Sequence, residues 1–484
     1  MTEHVKQKHL LTIDRRKHAW SVSFDLDGIS PDGTREDLAR NMVANVAVGN
    51  HAVRNDFDRI SIFNRPIFNA TWDSAAQHWV DFVAQGEPGF TFSPTEENRE
   101  VLYRCKPFWY KIEFEDSYGP TFVSVTDTPL EGYKLAPMFQ DGETYEYRPC
   151  FELGIGSDGK PHSRAGLTAF ETKPQPLMEK VFSYDSNART ETMADWFSDY
   201  LLLLVEFATR NLQGILPGNA CGELPININS TEDYCSFGFY TFQTQKFTEG
   251  ETYRLSYMKN GLKEYRDVEL LWISEEENDE FGNWLEFDVE DIDTLIDKAS
   301  LFNVYRLPVE TGLALPYITK ASSGVASKEA TSPCVWRGKE NPWGNISSFI
   351  CDMLFDMEGK SGVFYPYMLG DIKSFDGTLN NAYTRIYYKT KSYMAQNQAN
   401  IVAFTTAGED HILIPADFDY DKKQHYFATR CTILPNNADD GLRFLRVGGD
   451  YTVTTGINHA TYEMYDDSNY RPNFGGRLIL QEGS

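Results

Sequence analysis

No run of apolar residues in this sequence reaches the roughly 18 that a membrane-spanning helix needs. The opening stretch, MTEHVKQKHLLTIDRRKHAW, carries charge where a secretory signal would be apolar. Membrane insertion and conventional export are therefore not expected. Cysteine is scarce: seven residues, at 105, 150, 221, 235, 334, 351 and 431, with no CxxC pair and no histidine at zinc-ligand spacing. They read as buried free thiols of a protein made in a cytoplasm. HExxH and GxSxG are both missing, and none of the nine histidines stands in a nucleophile motif. Basic residues are the minority, 45 Lys and Arg against 71 Asp and Glu, for a net charge of −26. Such a surface repels phosphate backbones and anionic lipid, which argues against nucleic acid as a partner. The dense acidic run EEENDE, residues 275–280, reads as a solvated loop.

What is present is the composition of a folded protein, with 41% hydrophobic residues and an aromatic share of 14%. A chain of 484 residues is too long for one ordinary core, so two to four domains are expected. Strand-like runs bounded by Gly, Pro, Asn or Asp dominate: CKPFWYKIEFE (105–115), PTFVSVTD (120–127), YCSFGFYTFQ (234–243), DVELLWIS (267–274), WLEFDVE (284–290) and RIYYKT (385–390). One segment, 190–214, is clearly helical. Met193, Trp196, Phe197, Tyr200, Leu201, Leu204 and Ala208 recur at helical spacing, Thr192 with Asp195 predicts an N-terminal cap, and Gly214 and Pro217 predict the stop. Its other face carries Leu202, Leu203, Val205 and Phe207, so the helix is expected to be buried and to pack, not to catalyse. Further helices are predicted in DLARNMVANVAV (37–48) and GNISSFICDMLFDM (344–357), and KASSGVASKEATSP (320–333) reads as a linker.

Several motif-like stretches lack the residues that give their motif its chemistry. GIGSDG (154–159) matches GxGxxG but is followed by Lys-Pro-His instead of a helix, so it reads as a turn. DFDYDKKQHYFA (417–428) begins like a calcium loop, yet Lys422 stands where the sharp turn needs Gly and Ala428 where a bidentate Glu is needed. No metal and no cofactor is expected. RGKENPWGN (337–345) is the most specific short signal: Pro342-Trp343-Gly344-Asn345 reads as a turn that buries a large aromatic, with Arg337 and Glu340 placed to pair around it.

VWRGKENPWGNISSF, then LRFLRVGGDY about a hundred residues later, then FGGRLIL, resembles the C-terminal region of phage virion proteins that carry a C-type-lectin fold. That fold is shared with formylglycine-generating enzymes and with the variable proteins of diversity-generating retroelements. REDLARNMVANVAVG, NDFDRISIFNRP, KPFWYKIEF and LVEFATRNLQG are similar to the same phage group. The group usually has two tryptophans after the WGN turn; here Ser347 and Phe349 stand there. The enzyme branch needs a reactive cysteine pair after the Gly-Gly turn, and residues 451–473 contain no cysteine; this departure argues against an enzyme and leaves a formylglycine-generating-type oxidase only as a remote alternative.

The resemblance implies an α+β, β-rich chain in four parts: an N-terminal β-rich attachment and oligomerisation domain (1–130), a first part of a lectin-like domain (131–215, with helix 192–213), a β-rich insertion and linker (216–330), and the C-terminal part of the lectin-like domain (331–484). Arg337, Glu340, Asn341, Trp343, Gly344, Asn345, Gly448, Gly449, Gly475, Gly476 and Arg477 would be its structural motif. The segment between the two Gly-Gly pairs would present the ligand-binding face. Its Tyr451, Asn458, His459, Tyr462, Tyr465, Asp466, Asp467, Asn469 and Tyr470 have the composition of an antibody paratope, in which tyrosine supplies contact area and Asn and Asp adaptable hydrogen bonds. A subunit contact or a solvated loop is the plainer alternative for these residues. The expected partners are a host-surface receptor, glycan or protein, or other virion proteins, within a homo-oligomer in a virion. A purely structural role in a tail, baseplate or capsid decoration is the rival reading.

Trp343→Ala, by emptying a core site, is expected to cost about 3 to 5 kcal/mol. Tyr465→Ala with Tyr470→Ala should leave stability unchanged in the same denaturant titration; equal losses would show the tyrosines to be core.

Overall fold

Phe122–Thr126, the strand inside the predicted run 120–127, is buried along its whole length, because neighbours cover both of its faces. It lies in a five-stranded sheet in the order Thr34–Asp37, Trp20–Ser23, Phe122–Thr126, Trp109–Glu113, Lys134–Leu135. A four-stranded sheet follows, in the order Glu146–Pro149, Arg99–Cys105, Ile67–Asp73, His78–Ala84. The computed structural model describes residues 17–25, 30–113, 121–140, 142–219, 224–226, 237–241, 247–259, 262–274, 282–288, 302–327, 332–358, 363–385, 399–407, 412–419, 429–433, 441–448, 461–464 and 474–482. Strands far outnumber helices among them, so the chain is β-rich as expected.

Residues 224–306 contribute an antiparallel six-stranded sheet with its own hydrophobic cluster. Tyr253, Leu255 and Tyr257, every second residue of Thr252–Lys259, meet Val268 and Leu270 of Leu262–Ile273, Leu285 and Phe287 of Asn283–Phe287, and Val304. Arg254 ties this sheet to Glu171 at 2.7 Å. The largest sheet includes Ser347–Glu358, with Val363–Leu369 and Gly441–Val447 as antiparallel neighbours.

The long helix runs Met193–Phe207. It starts at the predicted capping box, in which the Asp195 N–H donates to Thr192 Oγ1 at 3.3 Å and the Thr192 N–H to the Asp195 carboxylate at 2.8 Å. It stops earlier than expected, at Ala208 in the left-handed conformation (φ 50°); Leu212–Ile215 is a separate helical turn. The predicted apolar face is buried except for Trp196, which is half-buried and stacked on Tyr200. Leu202, Leu203, Val205 and Phe207 on the other side are buried too.

Three acids are buried with them. Asp195, Asp199 and Glu206 stand four and eleven residues apart, which places them on one stripe to within about 40°. Each meets cations brought from elsewhere in the chain. Asp195 faces Arg148 at 2.6 Å and Arg189; Asp199 faces Arg65 at 2.6 Å and Lys339 at 3.1 Å. Glu206 accepts both arms of Arg337 at 2.7 Å, with Asn55 Nδ2 at 2.7 Å and Trp336 Nε1 at 2.9 Å completing its shell. Burial by itself would raise all three carboxyls, but these cations and hydrogen bonds outweigh it and hold them below the ordinary carboxylate range.

Three expectations fail for physical reasons. The stretch 37–48 is not a helix: Asp37 and Asn41 take left-handed backbone angles (φ 51° and 68°), and Ala47–Val48 pairs in parallel with Gly324–Val325. The run 344–357 is a turn followed by the strand Ser347–Glu358 of the largest sheet: Phe349, Ile350, Met353, Leu354 and Met357 recur at helical spacing, but pairing with Val363–Leu369 and Gly441–Val447 on both edges overrides it. The supposed linker contains the buried strand Ser323–Val325, sandwiched between Cys334–Trp336 and Ala47–Val48. One hydrophobic cluster joins Val22, Phe57 and Tyr110 to Phe197 and Leu204 of the helix and to Trp336, Trp343 and Val447.

Arg337→Met, which leaves the Glu206 carboxylate buried without its cation, is expected to cost about 3 to 5 kcal/mol in equilibrium unfolding. Lys111→Met, at the half-exposed Lys111–Glu113 pair, should leave the midpoint unchanged.

Candidate functional site: a framed C-terminal segment

The RGKENPWGN stretch is built from backbone angles that few residues tolerate. Cys334–Trp336 and Lys339–Glu340 form a hairpin whose two turn residues, Arg337 and Gly338, both have positive φ (47° and 87°), the geometry of a two-residue type I′ turn. The non-glycine member is fixed by its side chain, because the Arg337 guanidinium is clamped on Glu206, on the Phe63 carbonyl at 2.7 Å and on Asp58 at 3.2 Å. The expected Arg337–Glu340 pair does not form. Glu340 instead turns the other way and accepts the backbone N–H groups of Gly312 (2.6 Å), Ala314 (3.0 Å) and Leu315 (2.7 Å), while its burial raises its pKa.

The next turn buries Trp343 as expected, at 1% exposure, with its indole N–H donating to the Leu216 carbonyl at 2.7 Å. Asn341, Gly344 and Asn345 all take left-handed angles (45°, 79° and 59°), which asparagine and glycine adopt at least cost. Both asparagine amides converge on buried Glu152: Asn345 Nδ2 at 2.5 Å and Asn341 Nδ2 at 3.4 Å. Arg477 seals the arrangement by donating to three main-chain carbonyls, of Cys150 (3.2 Å), Glu340 (2.5 Å) and Asn341 (2.7 Å). Gly475 is packed so closely that a Cβ there would lie 2.4 Å from Ile346 Cδ1 and 2.7 Å from the Phe170 carbonyl. A Cβ on Gly476 would meet Thr190 at 2.9 Å.

This frame grips both ends of the 449–473 segment. Val447 pairs antiparallel with Ser348, and Gly475 pairs in parallel with the same Ser348 from its other side. Two inter-strand spacings of about 4.8 Å put these ends roughly 10 Å apart. Gly448 (φ 75°) leaves the sheet against Trp343, whose Cα and Cβ would lie 3.4 Å from an added Cβ. Part way along, Thr461–Met464 returns to the sheet as a strand beside Gly441–Val447, with Tyr462 opposite Leu445. The backbone of Tyr462 is thus held in a sheet and is not part of a free loop. Gly449, Tyr451, Asn458, His459, Tyr465, Asp466, Asp467, Asn469 and Tyr470 lie outside the described residues. So do most of the calcium-like stretch and residues 386–390 of the strand-like run 385–390; Asp417 and Asp419 lie in the strand Ile412–Asp419.

The GIGSDG stretch is a turn, as read. Gly154–Ile155 pairs with Pro161–His162, and the Gly156 N–H donates to the Lys160 carbonyl at 2.9 Å. The following histidine is a group that motif reading missed. His162 is fully buried; its Nδ1 lies 2.7 Å from Glu100, and its Nε2 lies 3.0 Å from Asp158. A neutral imidazole would turn its lone pair toward one of these carboxylates, so the geometry selects the imidazolium. Tyr184 donates to Glu100 at 3.1 Å, and Arg164 lies 3.7 Å from the same carboxylate. Burial by itself would lower the His162 pKa; the bonds and charges of Glu100 and Asp158 outweigh burial and raise it. Among the described residues no three His, Cys, Asp or Glu side chains converge as a metal site. Cys105, Cys150, Cys334 and Cys351 are buried free thiols, their pKa values all pushed up by burial.

No protein-family model matches the sequence, and no curated protein is significantly similar to it.

Burial also pushes the Glu152 and Asp352 carboxyls up to about 7. A raised folded-state pKa, on acid or histidine, means that the native state binds the extra protons, so its stability contribution is lost as pH rises through that value. The depressed Asp195, Asp199 and Glu206 work oppositely, and their contribution is lost as pH falls below the ordinary carboxylate range. Thermal melts should therefore show a maximum Tm near pH 5 to 6 and a decline toward pH 8. His162→Gln should flatten part of that decline.

Proposed function

We propose that this chain is a phage virion protein in which a C-type-lectin-like domain, formed by 131–215 and 331–484, presents the 449–473 segment for non-covalent binding to a host-surface receptor. The observation that carries this reading is the double anchorage on Ser348. A segment of 25 residues rich in Tyr, Asn and Asp leaves and re-enters a buried frame at two points held side by side. Binding residues characteristically sit on connections positioned by a rigid scaffold. The frame itself uses the residues that carry the resemblance: the hairpin turn at Arg337-Gly338, the buried Trp343, the asparagines on Glu152 and the Gly-Gly-Arg at 475–477.

The N-terminal part would attach the protein to the particle within a homo-oligomer, so that symmetry adds avidity to weak single contacts. The role is one of binding, with no cofactor and no catalysis, because the framed segment contains no cysteine for the oxidase chemistry of the enzymes that share the proposed fold.

Labelled full-length protein should bind cells of the bacterium the phage infects, and Tyr465→Ala with Tyr470→Ala should weaken that binding at least tenfold with an unchanged Tm. Undiminished binding by the double variant would overturn the assignment to this segment. Absence of cell binding, together with a virion map showing the segment buried between subunits, would establish the structural role instead.

A further inference from the structure

A cavity of about 170 Å³ opens beside the Arg337 hairpin, remote in sequence from the framed segment. Its floor is apolar, formed by Ile67, Leu315, Ile318 and Val335, and its rim is polar, formed by Asp58, Asn64, Gln85, Thr319 and Ser322. Asn64 and Gln85 hold exposed side-chain amides there, with no bond to another described side chain. Asp58 is 41% exposed and shares its Oδ1 between Arg337 and Ser322, leaving acceptor capacity toward the cavity.

Arg65 also lines the cavity. It stacks over Trp336 at 4.3 Å and Tyr103 at 5.1 Å and spends Nη2 on Asp199. Its Nε and Nη1 are buried and lack a hydrogen-bond partner among the described residues. Both atoms are out of reach of a molecule in the cavity, so the groups that can meet one are those of the rim.

Charge decides what sort of ligand the rim can take. Arg65 is neutralised by Asp199, and Arg337 by Glu206 and Asp58, so no cationic excess remains for an anion. A carboxylate would also confront Asp58. The Asn64 and Gln85 amides, by contrast, both donate and accept, and the Thr319 and Ser322 hydroxyls, whose protons go to Asn50 and Asp58, keep acceptor capacity; this suits hydroxyl groups, which do both. The volume is below the roughly 300 to 1,000 Å³ of sites for drug-sized ligands. We infer that this cavity, between Asp58, Asn64 and Gln85 on one side and Thr319 and Ser322 on the other, binds a neutral polyol of about one sugar ring. The C–H face of the ring would rest on Leu315 and Ile318, and its hydroxyls would meet the rim.

Saturation-transfer NMR on the full chain with glucose, galactose and N-acetylglucosamine, and separately with acetate and lactate, tests this. At least one sugar should receive saturation and the two carboxylates none. Asn64→Ala with Gln85→Ala, two exposed positions, should weaken sugar binding at least tenfold with an unchanged Tm, whereas Tyr465→Ala with Tyr470→Ala should not affect it. Silence from all three sugars, equal saturation of acetate, or undiminished binding by the Asn64/Gln85 variant would each overturn the inference. Loss of the sugar signal in the tyrosine variant instead would place the sugar on the framed segment and refute this cavity as its site.

Discussion

The fold turns on the pairing of three buried acids of one helix with cations from three other stretches of chain. Asp195, Asp199 and Glu206 draw Arg65 from the N-terminal region, Arg148 and Arg189 from the segment before the helix, and Arg337 and Lys339 from the hairpin far beyond it. Lys339 also reaches Glu191 at 2.5 Å, so the Asp199 group extends to the residue two places before the helix. Charges buried in this way are tolerated only as pairs, because each ion alone would cost several kcal/mol of lost hydration. Their contribution is better described as selection than as strength: a misplaced hairpin would strand Glu206, and a misplaced N-terminal segment would strand Asp199.

That constraint reaches the C-terminal frame through Arg337. With its guanidinium held on Glu206, the hairpin can keep a non-glycine residue at positive φ, and the following turn is delivered with Trp343 against Leu216 and both asparagines on Glu152. Arg477 then donates to the backbone carbonyls of Cys150, Glu340 and Asn341, so it reads the path of the chain at those three residues. The frame thus holds both ends of the segment with residues outside it, Ser348 and Trp343 among them.

Legibility differed sharply along the chain. The capping box at Thr192, the turn at Gly154–Gly159 and the burial of Trp343 all follow from local chemistry, and local chemistry is what a sequence displays. Residues 344–357 misled because Phe349, Ile350, Met353, Leu354 and Met357 fall at helical spacing, and only neighbours on both edges make the stretch a strand. Residues 320–333 misled because small polar residues also suit a buried strand that packs tightly, and Gly324 sits with Ala47 backbone within 3.2 Å of where a Cβ would stand. The acids of the helix were visible as letters, and their spacing could have marked them: three carboxylates on one stripe of a helix apolar all round require cations opposite.

By itself, the sequence determined a β-rich chain, a buried capped helix, an acidic surface and free thiols, since composition, periodicity and turn residues act over a few neighbours. Which cation meets which acid was decided by the tertiary structure alone, because Glu206 and Arg337 are 131 positions apart and no local rule connects them. The same holds for Glu340, which gave up the expected ion pair for three backbone N–H groups, and for His162, whose two carboxylates come from a strand and a turn. It holds too for Ser348, where chain closure brings Val447 and Gly475 to opposite sides of one residue. Long-range pairing of buried polar groups follows from their need to be satisfied once water is excluded, and only the folded chain shows how that need is met.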